Sequence, residues 1–220
     1  MKRSLTMGLI LVLLLACIGV ASANLVSNPG FESPGTFSGT YQTLFAVDSA
    51  SITPWSVDVN SIDLINNYWQ NNAGSSYSVD LAGNAPGTIS QTIAAKDGET
   101  CTLSFSMSGN PDNPGTKSVN VFWGASEVTG SPFTFATANT KTDMKWEQKT
   151  ASGLTATGPT TIKFVADPGS SAYGPALDDI SVECTGGTTP VPEFPTMALP
   201  AALIVGMLGA VLFIQRTKEN

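Results

Sequence analysis

The chain has 220 residues, no histidine and a formal net charge of −7. Without histidine there is no Ser-His-Asp or Cys-His catalysis and no His-ligated zinc. From Asn24 to Glu183 it carries six Lys, no Arg and fifteen Asp or Glu, a net of −9 (6 − 15), so no basic face for nucleic acid can be built and no guanidinium fork can clamp a carboxylate or phosphate.

Lys2 and Arg3 precede an apolar run from Leu9 to Val20, and Ala21-Ser22-Ala23 follows it. This is the pattern of a secretory signal peptide over residues 1–23, with the mature chain starting at Asn24. Leu14-Leu15-Ala16-Cys17 resembles a lipoprotein cleavage box. The A-x-A site behind it, and a second anchor at the other end of the chain, favour the plain signal peptide.

Residues 24–184 are predicted to form one all-β domain, long enough for one well-buried core. Apolar and polar residues alternate in SYSVDLA (Tyr77, Val79, Leu81), in ETCTLSFSMSG (Cys101, Leu103, Phe105, Met107) and in KSVNVFW (Val119, Val121, Trp123). The same period of two recurs at Phe133 and Phe135, at Ile162 and Phe164, and at Ile180, Val182 and Cys184. Turn signals such as Asn28-Pro29-Gly30, Asp97-Gly98, Asn113-Pro114-Gly115 and Asp167-Pro168-Gly169 separate the runs. No stretch shows a helical stripe. Many short, half-buried strands predict a two-sheet sandwich. Cys101 and Cys184, an even count after cleavage and both on inward phases, suggest one disulfide in an exported chain; the alternative is two buried thiols.

The composition changes after Cys184. Residues 185–196, TGGTTPVPEFPT, read as a small, polar, Pro-rich spacer. Residues 197–214 hold no charge, and as a helix they would cover about 27 Å, close to a bilayer core. Arg216 and Lys218 in the tail 215–220 predict that the tail stays cytoplasmic and the domain lies outside the cell.

Val191-Pro192-Glu193-Phe194-Pro195-Thr196, the apolar run and the basic end together resemble a PEF-CTERM sorting signal of archaeal surface proteins. The resemblance implies that an archaeosortase, a membrane Cys enzyme, cuts near Pro192, Glu193 and Phe194 and transfers the protein to a lipid or surface acceptor. The logic is that of a GPI signal, whose hydrophobic tail is removed. NLVSNPGFESP from Asn24, ITPWSVDVNSIDLI around Trp55, SYSVDLAGNAPGTISQTI from Ser76, TLSFSMSGNPDNPG from Thr102 and YGPALDDISV from Tyr173 resemble the choice-of-anchor C family. That resemblance implies a galactose-binding-like jelly roll, similar to several carbohydrate-binding modules. Cys101 departs from it, standing where the family pattern leads one to expect Tyr.

Modules of that kind often hold a structural calcium ion between their first and last strands. The matching positions are the Gly30 carbonyl, Glu32 in NPGFE and Asp178 in LDDISV, and hard cations do take carboxylate and carbonyl oxygens. Asp179 is the weaker choice, because neighbouring strand residues face opposite ways. The plain alternative is a turn-capping Glu32 and an Asp178 in a solvated bend. For a glycan, Trp55, Tyr68 and Trp69 are the candidate platforms, with Asn66, Asn67, Gln70, Asn71 and Asn72 around the last two. Alternatively Trp55, Trp123 and Trp146 fill the sandwich and Trp69 covers its edge. Acidic residues are plentiful, but nothing in the sequence singles out a catalytic pair. The expected function is non-catalytic binding of envelope glycan at the cell surface, against the alternative of a structural or adhesive envelope protein with no small-ligand site.

Overall fold

The computed structural model describes residues 22–33 and 39–187, with Met207 beyond them. The expected signal sequence (save Ser22 and Ala23), the Pro192-Glu193-Phe194 motif and the expected membrane span (save Met207) lie outside the described residues. Among the described residues, no helix is long and apolar enough to cross a membrane. Contacts divide the chain into one unit over Met1–Gly186 and another over Gly187–Asn220; only the first is described below.

The described residues of the first unit form strands, turns and short 3-10 turns. The strands are β1 (Tyr41–Phe45), β2 (Ser56–Val59), β3 (Ser61–Asn66), β4 (Tyr77–Asp80), β5 (Thr88–Ile93) and β6 (Glu99–Gly109). They continue with β7 (Lys117–Trp123), β8 (Ser126–Glu127), β9 (Phe133–Phe135), β10 (Glu147–Thr155), β11 (Thr160–Ala166) and β12 (Pro175–Gly186). Short 3-10 turns occupy Ala46–Ile52 and Pro168–Ser170. One sheet, sheet A, runs β1-β3-β4-β12-β6-β10; the other, sheet B, runs β2-β5-β11-β7-β8, with β9 also paired to β7. The pairings within both sheets are antiparallel.

This order is that of a jelly roll. From β4 the chain alternates between sheets, except that β7, β8 and β9 stay together in sheet B, giving β4-β12-β6-β10 on one side and β5-β11-β7-β9 on the other. Strands β1 and β3 extend the first sheet, and β2 extends the second. The sandwich expected from the alternating pattern is therefore the sandwich formed.

The core lies between the sheets because one face of each strand is apolar. Leu44, Ile62, Leu64, Val79, Leu103, Phe105, Met107, Leu177, Ile180 and Val182 from sheet A meet Val57, Ile89, Val119, Val121, Ile162 and Phe164 from sheet B. Phe105 packs edge-on against Phe133 and Phe164, each at 5.2 Å. Trp55 packs against Phe164 at 6.2 Å and Phe31 at 5.7 Å. Burying each of these large side chains contributes roughly 1.5–3 kcal/mol.

Strand β10 has no alternating apolar signature. Only Ala151 and Leu154 of EQKTASGLT are buried, and a bulge between them, with Gly153 at φ 73°, breaks the period. β12 runs two residues past the domain edge expected at Cys184.

Cys101 and Cys184 are bonded. They stand directly opposite in the β6–β12 register, with Cα atoms 4.0 Å apart. The bond closes a loop of 83 residues, which in the chain-entropy account stabilises the fold by about 4–5 kcal/mol. Replacing both cysteines by serine should shift the urea midpoint down by an amount equal to several kcal/mol. A loss below about 1 kcal/mol would mean that native strain or residual unfolded structure cancels the entropy gain.

Candidate functional site

Strand alternation sends one set of sheet A side chains away from the core. Asp63 and Ile65 from β3, Ser78 and Asp80 from β4, Ser106 and Ser108 from β6, and Ala176 and Asp178 from β12 all point outward. All but Asp63 are nevertheless buried. Two loops cover them, one over residues 67–76 and the other over 136–146. Their apolar part is a second cluster of Ile65, Trp69, Met144 and Ala176, with Tyr68 and Trp146 packed against it.

Polar groups under such a cover need partners. The Trp69 indole donates to Ser78 Oγ at 3.0 Å, Asn72 Nδ2 to Ser106 Oγ at 2.9 Å and Ser108 Oγ to the Met144 carbonyl. Gln70 ties the two loops together. Its N–H donates to the Lys141 carbonyl at 2.7 Å, its Oε1 accepts from Met144 N at 2.8 Å, and its carbonyl accepts from Trp146 Nε1 at 3.1 Å.

Where the cover stops, over β1 and β3, it leaves a groove of about 280 Å³. Tyr41, Tyr68 and Tyr173 line it together with Asp63, Asn84 and Asp112. Tyr41 is 50 % exposed and Tyr173 39 %, so both present ring surface to water. Tyr41 meets Tyr68 edge-on at 5.5 Å. The Tyr68 hydroxyl donates to Asp112 Oδ2 at 2.6 Å and accepts from Lys141 Nζ at 2.7 Å. Lys141 also pairs with Asp112 Oδ1 at 2.9 Å and lies 3.9 Å above the Tyr68 ring.

Two carboxylates face one another across β3 and β4: Asp63, which lines the groove, and Asp80, buried behind it. Thr43 donates to Asp63 at 2.5 Å. Asp80 accepts from Ala82 N and Gly174 N, each at 2.9 Å, and from Asn110 Nδ2 at 2.7 Å. Gly174 is needed there, since a Cβ would lie 2.6 Å from Asp80 Oδ1. Burial pushes the Asp80 carboxyl up to about 7 against those three donors, with the Asp63 charge adding to the rise. Burial also raises Asp63, and the Thr43 bond opposes it.

A second group of carboxylates lies where the chain start meets β12. Asp178 is fully buried, its Oδ1 accepts from Asp179 N at 2.7 Å, and its Oδ2 has no partner. Its carboxyl is pushed up to about 8, first by burial, then by the charge of Asp179, with Glu32 contributing. A Cβ built on Gly30 would lie 3.2 Å from Asp178 Oδ1 and 3.5 Å from Asp179 Oδ1. Glu32 Oε1 accepts from Ser76 N at 2.8 Å and Tyr77 N at 2.9 Å. Asn72 Nδ2 donates to Asp179 Oδ2 at 2.6 Å. The structure thus brings Gly30, Glu32 and Asp178 into one neighbourhood. It also corrects the reading of Asp179. A bulge between Asp178 and Ser181, with Asp179 at φ 47°, breaks the alternation and turns both aspartates to the same side. Nor is Asp178 in a solvated bend.

The expected aromatic platforms separate. Trp55 is 1 % exposed in the core, with its indole donating to the Asn28 carbonyl, so it has no face to offer a sugar. Trp69 is 3 % exposed and works as the lid of the outer cluster. Tyr68 and Trp69 both line the groove, Tyr68 with a partly open ring and Trp69 as a buried wall. Tyr41, Tyr173, Asp63 and Asp112 carried no sequence signal as site residues. The strand register and loop closure that gather them can be seen only in the fold. Another cavity, about 620 Å³, lies by Trp123 and the Thr155–Thr161 turn, but the Trp123 indole is spent on the Thr155 carbonyl. Glu99 lies beside Cys101 and Cys184, yet the two sulfurs are bonded to each other and cannot act as thiolate ligands.

Residues 191–217 match the PEF-CTERM archaeal protein sorting domain. Halomucin of Haloquadratum walsbyi is 34 % identical over 186 residues, covering 79 % of this chain, which spans 2 % of halomucin's length. Solved structures that resemble it include a family 61 carbohydrate-binding module bound to beta-1,4-galactotriose, at 18 % identity and a TM-score of 0.45, covering 73 % of this chain and 98 % of that one. Another is a family 36 module with calcium and xylotriose, at 19 % identity and a TM-score of 0.41, covering 66 % of this chain and 99 % of that one. Over residues 24–183 the sequence matches the family described as Protein of unknown function (DUF642), and the chain belongs to that family.

Proposed function

We propose that the chain is a non-catalytic cell-surface protein of the choice-of-anchor kind, whose groove on the outer face of sheet A binds glycan. The observation that carries this is the set of three tyrosines, Tyr41, Tyr68 and Tyr173, around a groove that also holds Asp63, Asn84 and Asp112. Amphipathic rings stack on the C–H faces of sugars, while carboxylates and carboxamides satisfy the hydroxyls. The Asp63–Asp80 pair is not read as a catalytic dyad. Asp80 is fully buried and its two oxygens already accept three hydrogen bonds, so it has no access to a glycosidic oxygen. The matched sorting domain at 191–217 supports export, together with the signal peptide expected over 1–23. Archaeosortase processing would attach the protein to the envelope, with the domain outside and the tail cytoplasmic until it is cut.

Calcium belongs to the same reading. The test of fit is the orphaned Oδ2 of fully buried Asp178. An unpaired buried carboxylate oxygen is costly, and a cation held by Asp178, the Gly30 carbonyl and Glu32, with Asp179 beside them, removes that cost. The donors are all oxygens, as calcium requires. The ion would supply structure rather than chemistry, fastening the chain start to β12.

Two measurements check this section. On a glycan array the full chain should bind, and Tyr41→Ala and Tyr173→Ala should each weaken the best hit about tenfold, equal to about 1.4 kcal/mol. Unchanged binding in both variants would move the site elsewhere. In thermal melts, millimolar calcium should raise the melting temperature over that in chelator. Saturation at 100 to 1,000 times the dissociation constant corresponds to roughly 3–4 kcal/mol. Asp178→Asn should abolish the difference, and identical wild-type curves in calcium and chelator would remove the ion from the account.

A further inference from the structure

We infer that the groove is selective by charge: it takes neutral or amine-bearing sugars and turns away uronates and sulfated sugars. The inference rests on the glycan reading of the groove and names the class of sugar it accepts.

Asp63 and Asp112 line the groove, and no Lys or Arg does. Asp80 stands directly behind, opposite Asp63 in the β3–β4 pairing. Two cations lie nearby, and neither is available to an anion in the groove. Lys141 gives one N–H to Tyr68 Oη and another to Asp112 Oδ1, so its charge is already matched by Asp112. Lys117 is buried at the start of β7 and does not line the groove. Of the two carboxylates that line the groove, Asp112 is matched by Lys141, and Asp63 has no ion pair among the described residues.

Asp63 is also placed to matter. Its Oδ1 is held by Thr43, so the carboxylate cannot swing away from an incoming group without losing that bond. Burial already disfavours its charged form, against the Thr43 bond, and an added anion would disfavour it further. Site charges that repel one ligand class produce specificity without any gain in affinity for the others. A guanidinium fork would be the usual way to hold a sugar carboxylate or sulfate, and from Asn24 to Glu183 the sequence has no Arg. An ammonium on a sugar would instead meet a carboxylate at hydrogen-bonding distance, and a neutral sugar would present hydroxyl donors to the same oxygens.

The test is binding of the full chain to an array holding neutral, amino-sugar, uronate-containing and sulfated glycans, in 50 mM and 500 mM salt. We expect hits among neutral or amino sugars, with acidic counterparts of the same linkage at least tenfold weaker in low salt. The gap should narrow in high salt, because the screening length falls below about 10 Å. Two variants follow. Asp63→Asn keeps an oxygen for Thr43 and should shrink the gap. Asp112→Asn frees Lys141 and should shrink it further, or reverse it. Melting curves establish that each variant folds, and either one alone suffices for the comparison. Acidic glycans binding as well as or better than neutral ones would overturn the charge selection while leaving a glycan site in place. A gap unchanged in folded variants would overturn it as well. Binding to no class on the array would overturn the glycan reading, and this inference with it.

Discussion

Much of the outer face of sheet A is buried as well as the inner one, and that constraint shapes the rest of the molecule. A sandwich sheet ordinarily keeps its outer face in water, where serines and aspartates need no partner. Here Ser78, Asp80, Ser106, Ser108 and Asp178 point outward and are still buried. Each must find a donor or acceptor within the protein or carry the cost of desolvation. The loops over 67–76 and 136–146 supply most of these partners through Trp69, Asn72, Asn139 and the Met144 carbonyl. The groove is the part of the face that the loops leave open. Among the described residues the supply of partners falls short at Asp178 Oδ2 and at Asn71 Oδ1.

The last strand gathers the ends of the domain. Leu25 N donates to the Val182 carbonyl, Val182 N to Asn24 Oδ1 and Ile180 N to the Pro29 carbonyl. The opposite edge of β12 pairs with β6 along most of its length and is locked there by Cys101–Cys184. Asn24, the first residue of the expected mature chain, is thus stitched to the strand that leads toward the sorting domain at 191–217. A cation at Asp178 would add a third tie on the same strand. The bulge at Asp179 makes this geometry possible, since without it one of the two aspartates would face the core side.

Period-two alternation made the sandwich legible in the sequence, because one apolar face per strand is enough to fix which way β4, β6, β7, β9, β11 and β12 turn. It failed at β10, whose buried positions are Ala151 and Leu154 around a bulge, and at the short edge strand β1, whose Tyr41 and Phe45 face out. Gly30, Glu32 and Asp178 were legible as a set only through resemblance to other modules. Their convergence depends on β12 lying beside the chain start, a pairing 150 residues apart that no local pattern encodes. The misreading of Asp179 has the same root, since alternation rules assume a regular strand. The sequence left Trp69 open to two readings, a glycan platform or a cover for the sandwich edge, because polar residues flank it. In the fold those neighbours include Gln70 and Asn72, which serve as the bonds that fasten its loop down. Asp63 facing Asp80, and Asp112 facing Tyr68, are consequences of register and loop closure.

The central claim is that the open part of the covered face is where this domain meets its ligand. Backbone amide shift mapping of the isotope-labelled protein, titrated with the strongest neutral glycan from the array, tests it most directly. The account predicts saturable shifts at Tyr41, Asp63, Tyr68, Asp112 and Tyr173, with Trp123 and Thr155 at the far cavity unmoved. Shifts centred on Trp123 and Thr155, or none at saturating sugar, would contradict it.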